Sequence, residues 1–414
     1  MIKRILHTFP IIMLVASSCN SGNTTQNEGH EDPASYPQGS FGYDLSFLKQ
    51  HDSVVVLKTD LGQSQIIVSP KYQAKVFTST ADSLSGLSFG WVNYKAFSGP
   101  VNEHMNGYGG ENRFWLGPEG GRFSLFFKPG AKMVYDQWKT PASFDTEAWT
   151  VTAQKDASVS LQKEMNLQNY KGTQLHLLVD RTITILNRQQ TSDRIGMQLD
   201  RDVKVVGYET DNTITNKGDQ EWTEQSGMPC IWILDMFKPT PATTIVVPFK
   251  NAAGQPFDQV ATTNYFGEIP ADRLKHTDDV LYFKADGKSR GKLGIVPQKA
   301  KPVSGSYDAQ NKVLTVTVFD LAPEAKYLNQ EWNTTKPAFS GDAVNAYNDG
   351  PLADGSQMGP FYEIESVSPA AFLKPNQSLS HKHSVFHFTG SEAALEQISK
   401  KVFGVSLHQI VKAL

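Results

Sequence analysis

Short runs of β-branched and aromatic residues recur along most of the chain, and turn signals separate them. Such runs lie at residues 54–57, 65–68, 75–80, 124–127, 175–179, 182–186, 203–208, 231–234, 244–247, 280–284, 313–319, 361–367 and 378–388. Short runs of this kind, with few segments of helical periodicity between them, are typical of antiparallel sheets. The pattern therefore predicts an all-β fold, built as a large antiparallel sandwich or barrel.

Helical periodicity is clearest at the C-terminal end. Thr389 and Glu392 have the spacing of a capping box, and Gly404 provides a stop signal. The apolar positions that share one face between them are Leu395, Ile398 and Val402. We therefore predict a helical cap over residues 390–414, and a short helix near residues 45–50.

The first residues have the pattern of an export signal. Lys3 and Arg4 precede an apolar run that is shorter than the roughly 20 residues a membrane-spanning helix needs. Small residues then precede Cys19, and this segment resembles the lipobox of bacterial lipoproteins. We predict a signal peptide at residues 1–18, lipidation of Cys19, and a location in the bacterial cell envelope, at the outer membrane or the periplasmic face. An ordinary signal peptide with an incidental cysteine is the alternative.

The segment that follows Cys19 has a different composition. Residues 20–40 contain almost no aliphatic side chain, so they cannot bury enough surface to offset their chain entropy. We predict a disordered tether at residues 19–40 and one folded domain at residues 41–414. The second cysteine, Cys230, has apolar neighbours, which favours a buried structural thiol.

The charge balance excludes some classes of partner. Of the 414 residues, 39 are Lys or Arg and 42 are Asp or Glu, which gives a net charge of −3. Because there is no polybasic surface to neutralise phosphates, we expect no nucleic-acid partner. The lysine-rich residues 284–301 are broken by glycines and are interpreted as an exposed hairpin. The chain also lacks the His-Glu-x-x-His and Cys-x-x-Cys motifs.

Residues 102–127 hold the densest group of side chains suited to chemistry. Two Gly-Gly pairs, at residues 109–110 and 120–121, bracket Arg113, Trp115 and Glu119. Aromatic faces stack on pyranose rings, and charged groups form strong hydrogen bonds to hydroxyls. These residues are therefore candidates for saccharide binding. The alternative is structural, with Trp115 in the core and an ion pair between Arg113 and Glu119.

Three histidines share one face of the predicted strand at residues 378–388. They are His381, His383 and His387, and Glu363 and Glu365 share a face of the preceding strand. If the two strands formed a hairpin, His381, His383 and a carboxylate could bind a transition metal. A solvent-facing strand is the preferred interpretation, so we predict neither a metal nor a cofactor.

Two segments of the chain resemble the galactose mutarotase-like (aldose 1-epimerase) superfamily. Residues 108–123 resemble its early segment, in which Asn-Arg precedes a Gly-x-Phe strand, and residues 359–381 resemble its closing hairpin. Within that superfamily, the chain is most similar to lipoproteins of Bacteroidetes. The resemblance implies a β-supersandwich with a short C-terminal helix, and a saccharide as the ligand.

The resemblance also implies roles for individual residues. Arg113 corresponds to the arginine that contacts the sugar, and Glu363, or alternatively Glu365, to the general base. The superfamily's catalytic histidine has no counterpart, because residues 215–236 contain no histidine. Mutarotation needs both a proton donor and a proton acceptor, so His104 and His176 are candidates to replace the missing acid.

Together these observations predict a lipid-anchored protein that binds or processes carbohydrate. The candidate catalytic residues are Glu363, His104 and His176, and the candidate substrate-binding residues are Arg113, Trp115 and Glu119. The expected partners are a saccharide and, through the N-terminal lipid only, a membrane; the oligomeric state is left open. The alternatives are an aldose 1-epimerase with a replaced acid, a non-catalytic structural or interaction lipoprotein, and a metal-dependent enzyme at His383.

Overall fold

The structure, a computed structural model, describes residues 35–59 and 61–414. The predicted signal peptide, the lipidation site at Cys19 and most of the predicted tether lie outside the described residues, and the assignment of residues 41–414 to one domain stays a prediction.

The described strands are β1 (Val55–Lys58), β2 (Gln65–Ser69), β3 (Lys75–Thr80), β4 (Arg113–Gly117), β5 (Thr150–Lys155), β6 (Ser158–Gln168), β7 (Gln174–Leu186), β8 (Lys204–Asn216), β9 (Cys230–Phe237), β10 (Thr243–Pro248), β11 (Ala261–Thr262), β12 (Leu274–His276), β13 (Val280–Lys284), β14 (Gly291–Ile295), β15 (Val303–Asp308), β16 (Val313–Phe319), β17 (Val344–Asn348), β18 (Tyr362–Val367) and β19 (Ser378–Thr389). The described α-helices are α1 (Phe41–Leu48), α2 (Arg188–Ile195), α3 (Glu392–Phe403) and α4 (Leu407–Ala413).

The strands form three antiparallel sheets. The small sheet has the order β1-β2-β3, the ten-stranded sheet β12-β13-β10-β15-β16-β19-β8-β7-β6-β5, and the six-stranded sheet β11-β14-β17-β18-β9-β4. The prediction of a large antiparallel β fold with short C-terminal helices is confirmed. Among the described residues, no helix has the length and apolar character that crossing a membrane requires.

Some local predictions were wrong in detail. Residues 124–127 form a loop, because Ser124 follows a turn at Gly121 and bonds to the backbone of Glu119 and Phe126. Helix α1 begins after Ser40, whose hydroxyl accepts a hydrogen bond from the Tyr43 amide. Ser391, not Thr389, caps α3, and Gly404 ends that helix as expected.

The main core lies between the ten-stranded and six-stranded sheets. Ile364 of β18 and Val385 of β19, which lie in different sheets, belong to the same buried apolar cluster. A second cluster joins the other face of the ten-stranded sheet to α3 and α4, for example through Leu395 and Phe386. Cys230 lies in the main core as a free thiol, as predicted, and burial raises its pKa to about 12.

A buried chain of polar side chains crosses this core. Arg181 of β7 donates to the side chain of Asn112, which donates to Asp235 of β9 at 2.7 Å. The other Asp235 oxygen lies 2.7 Å from His383 Nε2, and His383 Nδ1 lies 2.8 Å from Ser366 Oγ. These five side chains are fully buried. Buried polar groups must be paired, so this network specifies how the two sheets face one another.

The interpretation of the three histidines as a solvent-facing row was wrong. They share one face of β19, but they are buried against the six-stranded sheet: His381 contacts Ser366, and His387 contacts Glu111 at 3.0 Å. The proposed metal hairpin does not form either, because β18 and β19 lie in different sheets. Within the described part of the chain, no group of three or more His, Cys, Asp or Glu side chains is placed to bind a metal.

The burial of His381 predicts a loss of stability in acid. Burial, with the nearby His383 charge, lowers the pKa of His381 from 6.5 to about 3. Below pH 6.5 the unfolded chain takes up a proton that the folded chain excludes. The His381 contribution to the free energy of unfolding should therefore fall by about 1.4 kcal/mol per pH unit as the pH drops from 6.5 towards 3.

Urea unfolding of the wild type and of His381→Gln, measured at pH 7.5, 6.5 and 5.5, tests this prediction. Glutamine keeps a polar group facing Ser366 but cannot be protonated. The stability difference between the two proteins should shift in favour of the variant as the pH falls. A difference that is constant with pH would contradict the prediction.

A candidate saccharide cleft on the six-stranded sheet

The second face of the six-stranded sheet, opposite the core, forms the floor of a cleft. Side chains alternate between the two faces of a strand, so neighbours of core residues point into this cleft. The lining residues are Met105, Arg113, Trp115, Glu119, Trp138, Trp232, Leu234, Met236, Phe266, Arg290, Lys292, Tyr347, Met358, Phe361 and Glu363. The space within the cleft, including its open mouth, is about 500 Å³. Aromatic walls with a few converging polar groups are typical of a small-molecule site.

Arg113 and Glu363 meet at the floor of this cleft. The strand order places β9 between β4, which carries Arg113, and β18, which carries Glu363. The Arg113 guanidinium donates to the Glu363 carboxylate, and both side chains are less than one-tenth exposed. The guanidinium also lies 5.1 Å from the centre of the Trp115 ring. Of the structural alternative, the ion pair between Arg113 and Glu119 does not form, whereas Trp115 is buried and belongs to the main core cluster.

A second charged pair lies beside the first. Lys292 of β14 donates to Glu365 Oε2 at 3.0 Å, and the indole of Trp232 donates to the same oxygen at 2.8 Å. The ammonium group also lies 4.5 Å from the centre of the Trp232 ring. The interpretation of residues 284–301 as an exposed hairpin was therefore wrong at Lys292. This lysine is buried because β14 is an inner strand of the sheet, between β11 and β17.

The crowding of carboxyl groups shapes the electrostatics of the cleft. Burial, with the nearby Glu365 charge, raises the pKa of Glu363 to about 8 against the opposing effect of Arg113. Burial also raises the pKa of Glu119. Burial would lower the pKa of Lys292, but the charges of Glu365, Glu119 and Glu363 raise it above its usual value. Glu363 is therefore a group that exchanges its proton near neutral pH.

Several buried polar atoms around the cleft have no partner in the described structure. They are Arg113 Nε, Trp115 Nε1, Trp138 Nε1 and Glu365 Oε1. Three of these atoms donate hydrogen bonds and one accepts them. An unpaired buried polar group costs about 1–3 kcal/mol, so a ligand that supplied both donors and acceptors would recover that cost.

The predicted residues are only partly brought together. Arg113, Trp115, Glu119 and Glu363 all line the cleft. The other two candidates, His104 and His176, do not line it. His104 Nδ1 lies 2.6 Å from the Trp138 carbonyl, with its ring stacked on Tyr135. His176 lies on β7, in the ten-stranded sheet, and faces Glu164 at 2.5 Å. The structure therefore brings neither histidine to Glu363.

Sequence reasoning missed Lys292, Trp232 and Arg290 in this cleft. Lys292 gave one usable signal, because it is a single charge within the otherwise uncharged strand 291–295, next to Leu293. Such a residue is typical of a charge that is paired inside a sheet. Trp232 lies in a continuous apolar run. In such a run polar and apolar residues do not alternate, so the sequence does not show which side chains face the core and which face the cleft.

Comparisons with solved structures find several proteins of similar architecture. A protein from Synechocystis sp. PCC 6803 matches with a TM-score of 0.49 at 12% identity, covering 82% of this chain and 96% of that one. A galactose mutarotase-like protein from Lactobacillus casei ATCC 334 matches with a TM-score of 0.48 at 11% identity, covering 81% and 100%. A galactose mutarotase related enzyme from Lactobacillus acidophilus matches with a TM-score of 0.45 at 9% identity, covering 82% and 98%. Each of these matches covers about four-fifths of this chain.

A comparison with curated proteins finds no match. Residues 39–414, which include every residue of the cleft, match the model of a family of unknown function, DUF6786. The match extends over far more than half of the sequence, and this chain therefore belongs to the DUF6786 family.

Proposed function

We propose that this protein binds a saccharide in the cleft on the six-stranded sheet. Aromatic side chains, among them Trp115, Trp232 and Tyr347, line the cleft, and aromatic rings pack against the apolar side of a sugar ring. The floor supplies charged groups already held in place by their partners, Arg113 by Glu363 and Lys292 by Glu365. Binding groups that are positioned in advance lose little entropy when a ligand arrives.

The unpaired buried atoms carry this proposal. The N–H groups of Arg113, Trp115 and Trp138 need acceptors, and Glu365 Oε1 needs a donor. A hydroxyl group offers both functions in one atom, and a sugar presents several hydroxyls on a compact ring. A purely apolar ligand would leave all four atoms unpaired, at the cost given above.

The substitution Trp115→Phe tests the proposal. It removes the unpaired indole N–H but keeps an aromatic ring, so affinity for a bound sugar should fall roughly three- to tenfold, the value of one hydrogen bond. Binding is measured by saturation-transfer NMR of the purified protein, first with pooled mono- and oligosaccharides and then by titration with each sugar that gives a signal.

Trp149→Phe is the matched control for this experiment. Trp149 is also a buried tryptophan, but its indole already donates to the Ser143 carbonyl at 3.1 Å and it does not line the cleft. This control should lose stability and keep its affinity. An absence of signals across a broad pool would contradict saccharide binding and favour a structural or interaction lipoprotein on the same scaffold.

A second candidate function is aldose 1-epimerase chemistry at Glu363. The observation that favours it is the pKa of about 8 of this buried carboxyl group, which suits proton transfer near neutral pH. Neither His104 nor His176 lines the cleft, so a proton donor would come from the cleft itself. Glu119 and Lys292, which line the cleft with Glu363, are the titratable groups in position for this role.

The pH dependence of anomer exchange tests the role of Glu363. If Glu363 is the base, as the sequence resemblance implies, the exchange rate should rise with pH and level off above about pH 8, because only the ionised carboxylate accepts a proton. Glu363→Gln should reduce exchange to the uncatalysed rate. The measurement is exchange NMR on glucose and galactose from pH 6 to 9.5.

Glu224→Gln is the control, because Glu224 pairs with Lys326 at the surface and does not line the cleft. A rate that falls above pH 8 would overturn the assignment of Glu363 as base and identify it as the proton donor. Unchanged exchange in Glu363→Gln would remove it from the mechanism.

We also propose that the protein is anchored to the bacterial cell envelope by a lipid on Cys19. The support is the sequence pattern alone, with a basic start, a short apolar run and small residues before the cysteine. Cys19→Ser should move the protein from the membrane fraction to the soluble fraction and remove the lipid mass from its N-terminal peptide. Cys230→Ser, at the buried thiol, should leave both unchanged. Membrane association that persists in Cys19→Ser would contradict the proposal.

A further inference from the structure

We propose that the saccharide bound in the cleft carries an anionic group, a carboxylate or a sulfate or phosphate ester, and that Arg290 binds this group. The proposal rests on the saccharide-binding function proposed above and adds the chemical class of the ligand. It concerns the mouth of the cleft, where Arg290 lines the wall and is exposed.

Arg290 is the cation of the cleft that the protein leaves unpaired. Arg113 is paired with Glu363, and Lys292 is paired with Glu365. The Arg290 guanidinium has no ion pair and no hydrogen bond to any residue in the described ranges 35–59 and 61–414. Its five N–H donors are therefore available to a ligand.

No carboxylate of the described structure forms a direct ion pair with Arg290. Glu119 is close enough for its charge to interact with Arg290, but no contact within 4 Å joins the two. Asp349 does not pair with Arg290 either; it accepts hydrogen bonds from the Tyr347 hydroxyl at 2.8 Å and from the Gly359 amide at 3.2 Å. The mouth of the cleft thus presents a guanidinium that no carboxylate of the described structure contacts directly.

An aromatic ring holds the guanidinium in position. The guanidinium carbon lies 3.9 Å from the centre of the Phe266 ring. That ring meets Tyr347 edge-on at 5.9 Å, which ties it to the wall of the cleft. Stacking uses the flat face of the guanidinium and leaves its edge free. A carboxylate, sulfate or phosphate accepts two parallel hydrogen bonds along that edge.

The backbone that carries Arg290 is also fixed. The side chain of Asn348 accepts from the Gly287 amide at 2.9 Å and donates to the Ser289 carbonyl at 2.8 Å. Gly350 packs against this backbone so closely that a Cβ added to Gly350 would lie 2.5 Å from the backbone nitrogen of Arg290. The arginine is therefore presented by an ordered segment, which lowers the entropic cost of binding.

Matched pairs of sugars test this proposal. The probes are glucose against glucuronate, galactose against galacturonate, and glucose 6-sulfate and glucose 6-phosphate to separate the kinds of anion, each titrated by NMR or calorimetry against the purified protein. We expect the preferred acidic sugar to bind about tenfold or more tightly than its neutral partner, as one charge-assisted hydrogen-bonded pair provides. Added salt should reduce this preference.

Variants at two neighbouring cations distinguish binding by Arg290 from a general charge effect. Arg290→Gln should lose the preference for the acidic sugar, because its affinity for the acidic sugar falls far more than its affinity for the neutral one. Lys288→Gln changes the net charge equally, two residues away on an exposed side chain outside the cleft, and should keep the preference. Arg290→Lys keeps the charge but lacks the planar edge of a guanidinium. This variant should keep only part of the preference for the acidic sugar.

Each outcome bears on one of the two proposals. Equal affinity of the wild type for acidic and neutral sugars would overturn the role of Arg290 and leave saccharide binding intact. Equal losses in Arg290→Gln and Lys288→Gln would also overturn it, since only net charge would then matter. Binding of no sugar, acidic or neutral, would overturn saccharide binding itself.

Discussion

The cleft depends on the strict alternation of side chains in the six-stranded sheet, because both faces of this sheet carry polar groups that cannot exchange places. In β18, Ser366 faces the core network while Glu365 faces Lys292, which lines the cleft. Arg113, the first residue of β4, follows Asn112 in the same way: Arg113 faces Glu363 and Asn112 faces Asp235. A register shift of one residue would move every such side chain to the opposite face. The buried network therefore fixes the register of the strands that form the floor of the cleft.

This arrangement also explains how the cleft holds so many charges. A buried charge is tolerated only when it is paired and hydrogen-bonded, and Arg113 and Lys292 each have a carboxylate partner. The pairs keep these groups in place before any ligand arrives. The groups without a partner, the indole of Trp115, the free oxygen of Glu365 and the guanidinium of Arg290, mark where the protein has left its polar capacity open. The division between paired and unpaired groups distinguishes the structural part of the cleft from the part available to a ligand.

Part of the candidate site could be predicted from the sequence. Arg113 and Trp115 lie in a glycine-bracketed segment rich in aromatic and charged residues, and Glu363 lies in a segment that resembles a known hairpin, so their chemistry was visible locally. Their meeting was not visible, because Arg113 and Glu363 are 250 residues apart. The histidines show the opposite case. Their shared face on β19 was correctly predicted from the period of a strand, but whether that face met solvent or the core depended on β18 and β9 in the other sheet.

The sequence by itself determined the strand-rich character of the chain, the shared face of the three histidines and the C-terminal helices. These properties follow from local preferences of residues two to four positions apart. Only the tertiary structure decided which strands pair, which face of a sheet is buried, and that Lys292 lies in the cleft while His176 does not. The reason is physical: antiparallel pairing joins segments of any separation along the chain, so the neighbours that set the burial and charge of a side chain are absent from its local sequence.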